Sequence, residues 1–89
     1  MHNFSIHEDL EKTLSKLAKR DPVAYSAVIN KIQEIVANPN VDRYKNLRKP
    51  LQHLKRVHIM GSFVLTFHYN LKDDSVVFYH FDHHDYVYK

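Results

Sequence analysis

The chain has 89 residues, which is enough for one hydrophobic core and too few for two, so we expect a single domain over residues 1–89. Its composition is 44% hydrophobic and 12% aromatic with one glycine and three prolines, which excludes collagen-like and low-complexity architectures. The absence of cysteine excludes disulfide frameworks and thiolate metal sites and favours a reducing, cytoplasmic location.

Membrane association is not expected. The longest run without Asp, Glu, Lys or Arg is residues 57–71, which is interrupted by two histidines and is shorter than the roughly 20 apolar residues that span a bilayer. Acidic residues at Glu8, Asp9 and Glu11 also interrupt the N-terminal region before an apolar signal segment could form.

The first half of the chain predicts a strand followed by two helices. Phe4 and Ile6 alternate with polar residues, and leucines then recur at helical spacing, which predicts a helix over about residues 8–19. Asp21 followed by Pro22 is a helix start signal, and Pro39 between two asparagines ends the second helix. The two helices should form a hairpin.

The second half predicts three strands after a basic linker over about residues 41–54. Val57 and Ile59 alternate with Arg56 and His58, so these two pairs should lie on opposite faces of a sheet. Gly61 is placed to turn this strand into the next, over about residues 63–69, and a polar turn over 70–75 leads to a strand over 76–81. We predict an α+β fold of order β-α-α-β-β-β, with both helices packed on one face of a small antiparallel sheet and the other face left for function.

Charge is concentrated in the middle third of the chain. Residues 1–42 carry five Lys/Arg against six Asp/Glu, residues 73–89 carry one against four, and residues 43–72 carry seven against none. These seven cations are Arg43, Lys45, Arg48, Lys49, Lys55, Arg56 and Lys72. Such a segment favours binding of phosphates, although a solvated basic face is the plainer alternative.

Histidine is abundant in the same region, since six of the eight histidines follow residue 50. Imidazole can donate or accept a proton near neutral pH, and cations stabilise the charge that develops on phosphorus, so this composition suits metal-independent cleavage of RNA at the 2′-OH. His58 shares its predicted face with Arg56. A zinc site from His80, His83 or His84 with Asp82 or Asp85 lacks a recognised ligand spacing, so we expect neither a metal nor another cofactor.

Four segments together resemble the RelE/ParE superfamily of bacterial and archaeal toxins over nearly the whole chain. They are Lys49-Pro50-Leu51, Arg56-Val57-His58-Ile59, Phe63-Val64-Leu65-Thr66-Phe67 and His83-His84-Asp85-Tyr86-Val87-Tyr88. The sequence looks most like the YafQ-type branch. In that branch one histidine precedes an Ile at the end of a strand, as His58 does here, and a second lies four residues before a terminal aromatic, as His84 does before Tyr88.

The resemblance implies a toxin of a type II toxin-antitoxin module, acting as a ribosome-dependent mRNA endoribonuclease that an antitoxin neutralises. It implies His58 as general base or phosphate ligand, His84 as general acid and Arg56 as a phosphate contact in the catalytic site. The RNA contacts would come from Lys49, Lys55, Arg48, His53, His83 and Tyr88.

Two positions depart from the family pattern. Val64 follows Phe63 where many RelE members have Arg, and Ser62 stands where the YafQ-type branch has an acidic residue. Two alternatives therefore stay open: a non-enzymatic ParE-like inhibitor of a protein such as gyrase, and a catalytically degenerate member that only binds its antitoxin.

Overall fold

The computed structural model describes residues 2–83, in which one strand, two helices and three further strands follow one another. The predicted β-α-α-β-β-β order is confirmed. The strands are β1 (Asn3–Ile6), β2 (Lys55–Ile59), β3 (Phe63–Asn70) and β4 (Ser75–His83), the helices are α1 (Glu8–Arg20) and α2 (Pro22–Ala37), and a 3₁₀ turn (Val41–Arg43) follows α2.

Asp21 ends α1 and starts α2, as the Asp-Pro signal predicted. Its backbone N–H donates to the Leu17 carbonyl at 2.8 Å, and its carboxylate accepts from the Ala24 N–H at 3.1 Å. Pro22 occupies the first turn of α2, where a backbone N–H has no helical acceptor to lose. With one residue between them, the two helices pack against each other as a hairpin.

Each helix presents one apolar stripe to the sheet. Leu10 and Leu14 of α1 are buried one turn apart, and Leu17 packs beside them. The buried residues of α2 follow the same spacing and are Ala24, Val28, Ile32, Ile35 and Val36. No helix within residues 2–83 is long and apolar enough to cross a membrane.

The four strands form one mixed sheet in the order β1-β4-β3-β2. The last three strands run antiparallel, as predicted, whereas β1 joins the sheet beside β4 in parallel. The β2–β3 turn places Met60 and Gly61 at φ values of 56° and 77°, in the left-handed region that glycine adopts without strain.

One face of the sheet builds the core. Leu65, Phe67, Val76 and Phe78 are completely buried there beneath the helices, with α1 against β4 and α2 against β2. The helices pack on this face, so the fold class predicted from the sequence is confirmed. The opposite face of the sheet is called the outer face below.

Candidate functional site

Two rows of side chains cross the outer face from β2 to β4. His58 of β2 pairs with Val64 of β3, which pairs in turn with Asp82 of β4. The next row is made by Arg56, Thr66 and His80 in the same order. Because neighbouring strands lie about 4.8 Å apart, the β2 and β4 members of a row are about 10 Å apart at their Cα atoms.

The flanking strands carry the accessible groups of this face. His58, His80 and Asp82 are exposed and Arg56 is half-buried. In the middle strand, Val64 is fully buried and Thr66 is 3% exposed. The imidazole of His58 and the guanidinium of Arg56 therefore belong to one surface, as the strand alternation predicted, with an acid and a second imidazole on its far side.

The linker that runs beside β2 adds exposed cations, and we call Lys45, Arg48 and Lys49 of the linker together with Arg56 the basic edge. The linker runs beside β2 because the Arg56 N–H donates to the Lys45 carbonyl at 2.9 Å and Asn46 forms an isolated antiparallel bridge to Lys55. Leu47 is only 5% exposed and anchors this segment. Lys45, Arg48 and Lys49 are all exposed.

Lys55 differs from the other cations. It is only 6% exposed, and its ammonium donates to the Asp42 and Tyr44 carbonyls and to the Asn46 side-chain oxygen at 3.2, 3.0 and 3.2 Å. The Asp42 carboxylate lies 3.8 Å away. Its position on β2 places it with Ile59 on the side toward the helices, so Lys55 holds the linker in place rather than joining the basic edge as a phosphate contact.

The remaining predicted site residues are dispersed. His53 is exposed, and its carbonyl accepts from His68 Nδ1 at 2.9 Å. His83 lies on the helix side of the sheet, where its ring packs edge-on against Phe63 with the ring centroids 5.6 Å apart. It therefore does not share the surface of His58. His84 and Tyr88 lie outside the described residues.

Sequence reasoning missed His80 and Asp82 as members of the outer face. Their orientation depends on an irregularity in the β3–β4 register between Thr66 and Phe67, which leaves Tyr79 of β4 without a partner. A strict alternation counted from Phe78 would place His80 in the core. Residues 2–83 contain no group of three or more histidine, cysteine, aspartate or glutamate side chains that could hold a metal ion.

The surface combines positive charge with an imidazole. Arg56 and the basic edge supply the charge that attracts an anion, and His58 supplies a side chain of the type most often used as a general acid or base. Such a pairing of cation and imidazole is what phosphodiester cleavage needs on one side of the reacting phosphorus.

Comparison with known proteins identifies the family. The chain is 47% identical over 89 residues to toxin RelE4 of Methanocaldococcus jannaschii, covering 100% of this chain and 93% of that protein. The chain belongs to the RelE/ParE toxin superfamily. No protein-family model matches it.

Solved structures agree on the fold. The RelBE2 toxin-antitoxin complex of Mycobacterium tuberculosis matches this RelE homologue with a TM-score of 0.75 at 20% identity, over 92% of this chain and 96% of that one. The isolated E. coli RelE toxin matches with a TM-score of 0.70 at 15% identity, over 93% and 84% of the two chains.

The two departures from the family pattern take clear places in this RelE homologue. Val64 is fully buried at the centre of the His58 row, so the residue after Phe63 supplies no cation to the outer face. Ser62 is exposed in the turn that follows Gly61. Positive charge on this part of the sheet consequently comes from Arg56 and the basic edge.

Proposed function

We propose that this RelE homologue is a ribosome-dependent endoribonuclease that cleaves mRNA without a metal ion. The observation that carries the proposal is that His58 and Arg56 of β2 lie on the same outer face, next to the linker cations of the basic edge. Family membership supports a toxin, and this pairing supports a phosphodiester as its target.

The proposed reaction is an in-line transfer. His58 takes the proton of the ribose 2′-OH, the 2′ oxygen forms a bond to the adjacent phosphorus, and the bond from phosphorus to the 5′ oxygen breaks. His84 gives a proton to the departing 5′ oxygen, and Arg56 stabilises the charge on the phosphorane. The products carry a 2′,3′-cyclic phosphate and a 5′-hydroxyl.

The ribosome would supply orientation. This chain has Val64 where many relatives have a cation, so charge stabilisation of the transition state would be weaker. The ribosome would compensate by aligning the 2′ oxygen with the phosphorus. Positioning alone contributes several kcal/mol to lowering a reaction barrier.

Induced expression tests the function. Growth should stop, and translated mRNA should be cut to leave 5′-hydroxyl ends, which accept an adapter only after phosphorylation. His58→Gln keeps a hydrogen-bonding group but cannot act as a base, so it should reduce cleavage by 10²-fold or more and relieve the arrest. Lys16→Ala, which removes a charge on the exposed surface of α1, should leave cleavage unchanged.

Other outcomes would select other functions. Arrest that persists in His58→Gln and His84→Ala, with intact mRNA and inhibited gyrase, would establish a ParE-like inhibitor instead. A chain that stops no growth and binds a partner tightly would be a degenerate member, which the apolar residue at Val64 favours over the inhibitor.

We also propose an antitoxin partner. The M. tuberculosis neighbour is a toxin-antitoxin complex with the same fold. Co-expression of the product of the adjacent short reading frame should restore growth and co-purify with this chain, and failure of both would remove the partner from the proposal.

A further inference from the structure

Three ring side chains form a continuous row on the outer face at the side away from the basic edge. His7 is the residue after β1, and its ring centroid lies 5.3 Å from that of Tyr79, with 34° between the ring planes. The ring centroids of Tyr79 and His80 lie 6.3 Å apart, with 35° between the ring planes. The three rings thus follow one another across the β1–β4 boundary, and we call them the ring row.

An irregularity in β4 builds this row. Phe78 pairs with Phe67 and His80 pairs with Thr66, so Tyr79 is an extra residue opposite no partner in β3. Phe78 and Phe81 both point into the core, which places Tyr79 and His80 together on the other side of the strand. Bulges of this kind re-aim side chains and recur next to functional sites.

His7 is fixed by one contact of its backbone and one of its ring. Its backbone N–H donates to the Phe78 carbonyl at 2.8 Å, which continues the β1–β4 ladder by one residue. Its Nδ1 accepts from the Asp9 N–H at 3.2 Å, so the same ring caps the start of α1. The row is therefore pre-organised by the end of β1, the start of α1 and the middle of β4.

The rings remain accessible. The His7 side chain is 44% exposed, His80 is exposed and Tyr79 is half-buried. None of the three belongs to the hydrophobic core, which is completed on the opposite face. Their packing in the fold leaves aromatic surface in contact with solvent.

The charges around the row distinguish it from the basic edge. Asp9 has a carboxylate oxygen 3.8 Å from His7 Nδ1, and Asp82 lies two residues beyond His80 on the same face. Phosphate is attracted to the cations at the β2 side and is repelled by these acids. The aromatic faces, in contrast, suit the flat and nearly uncharged part of a nucleotide.

We propose that the ring row is a stacking platform for one or two unpaired nucleobases of single-stranded RNA, with Tyr79 at its centre. The proposal rests on RNA being the substrate, as above, and adds that the strand lies with its phosphates toward the basic edge and its bases toward β1. Aromatic rings on a sheet surface are a common way to bind unpaired bases independently of sequence.

The test uses an unstructured RNA decamer in which every ribose is 2′-O-methylated, so that no 2′-OH is available for cleavage. 2-Aminopurine, whose fluorescence falls on stacking, is placed at each position in turn. The wild-type chain should quench the fluorescence at one or two neighbouring positions. Tyr79→Ala should abolish that quenching and weaken binding roughly tenfold.

Controls separate stacking from folding. Tyr79→Phe should retain both the quenching and the affinity, whereas Tyr79→Leu, which fills a similar space without an aromatic face, should lose both. Phe4 of β1 is 52% exposed on the opposite side of the strand, so Phe4→Ala is a matched loss of an accessible ring and should change neither.

The outcomes distinguish this proposal from the proposed activity. Absence of binding to the decamer, or equal quenching by the wild-type chain and Tyr79→Leu, would overturn the platform even if mRNA were cleaved in cells. Position-specific quenching that depends on Tyr79 would support the platform even if no cleavage occurred, and the nuclease would then be the proposal that fails.

Discussion

Lys55 shows how one buried charge can fix a whole segment. Its ammonium meets two main-chain carbonyls and the Asn46 amide oxygen, and these contacts hold the linker against β2. A hydrogen bond from a charged donor contributes about 1.5–3 kcal/mol, and the acceptors left behind would be poorly solvated. Lys55, which the sequence placed among the RNA contacts, thus contributes to stability.

We expect Lys55→Met to lower the free energy of unfolding by about 2 kcal/mol, because it keeps an unbranched side chain of similar length but removes the donor. Urea denaturation measures this change. Lys45→Met, which changes an exposed lysine of the linker, should alter stability by about 0.5 kcal/mol at most. Equal effects of the two substitutions would contradict the structural role of Lys55.

Asp74 provides a second prediction at the residue scale, through pH. The His2 ring contacts this carboxylate, and the Tyr69 hydroxyl donates to it at 3.1 Å. The hydrogen bond from His2 is the main cause that holds the pKa of Asp74 below its ordinary value of 3.8. His2 also donates through Nε2 to the Asn38 carbonyl at 2.5 Å, so these contacts join the start of β1, the end of α2 and the β3–β4 turn.

The sign of the pH effect follows from this lowered pKa. The ionised carboxylate stabilises the fold above the ordinary pKa, and this contribution is lost as pH falls through the lower pKa of the folded chain. In an NMR titration, His2→Ala should raise the pKa of Asp74 more than Tyr69→Phe does, because the His2 bond is the larger cause. The reverse order would show that Tyr69 is the dominant partner.

At the scale of elements, Asp21 carries a prediction for the helix hairpin. Its carboxylate satisfies a free N–H of the first turn of α2, and replacing such a cap by alanine costs about 1 kcal/mol. Asp21→Ala should therefore lower the denaturation midpoint. Asp21→Asn keeps an acceptor, so it should change the free energy of unfolding by only a few tenths of a kcal/mol. A midpoint equally lowered by both would point to charge rather than the cap.

Local signals explain why most elements could be predicted. Periodicity and caps act within a few residues, so the boundaries of α1 and α2 and the turn at Gly61 follow from the sequence. The pairing of β1 does not, because its parallel partner β4 lies some 70 residues away and no local pattern specifies it. The placement of Val57 and Ile59 on the opposite face from Arg56 and His58 was likewise predicted correctly, since Val57 and Ile59 pack in the core.

The site was predictable to the extent that alternation holds. Arg56 and His58 were correctly assigned to one face because β2 is regular. The same alternation places Lys55 with Val57 and Ile59, so its inward position was available from the sequence and was missed in favour of its charge. Tyr79 and His80 were not predictable, since the bulge that turns both outward depends on how β3 and β4 pair.

At the scale of the whole molecule, charge divides the surface. Residues 1–42, which include both helices, are nearly balanced, while residues 43–72 carry seven cations and no acid. Three of these cations, Lys45, Arg48 and Lys49, belong to the linker, which runs beside β2 where the Lys45 carbonyl accepts a hydrogen bond from the Arg56 N–H. An anionic strand that reaches the outer face would therefore approach it from the side of the linker.

Salt dependence tests this organisation. Each phosphate contact to a single strand contributes about 0.7 to the slope of log K against log salt concentration. If the basic edge binds phosphates, the double substitution Arg48→Ala and Lys49→Ala should reduce that slope by about 1.4 for the 2′-O-methylated decamer. Lys16→Ala with Lys19→Ala removes the same net charge from exposed positions of α1 and should leave the slope unchanged. If both double variants reduced it equally, net charge alone would account for binding, and the position of the cations along β2 would have no part in it.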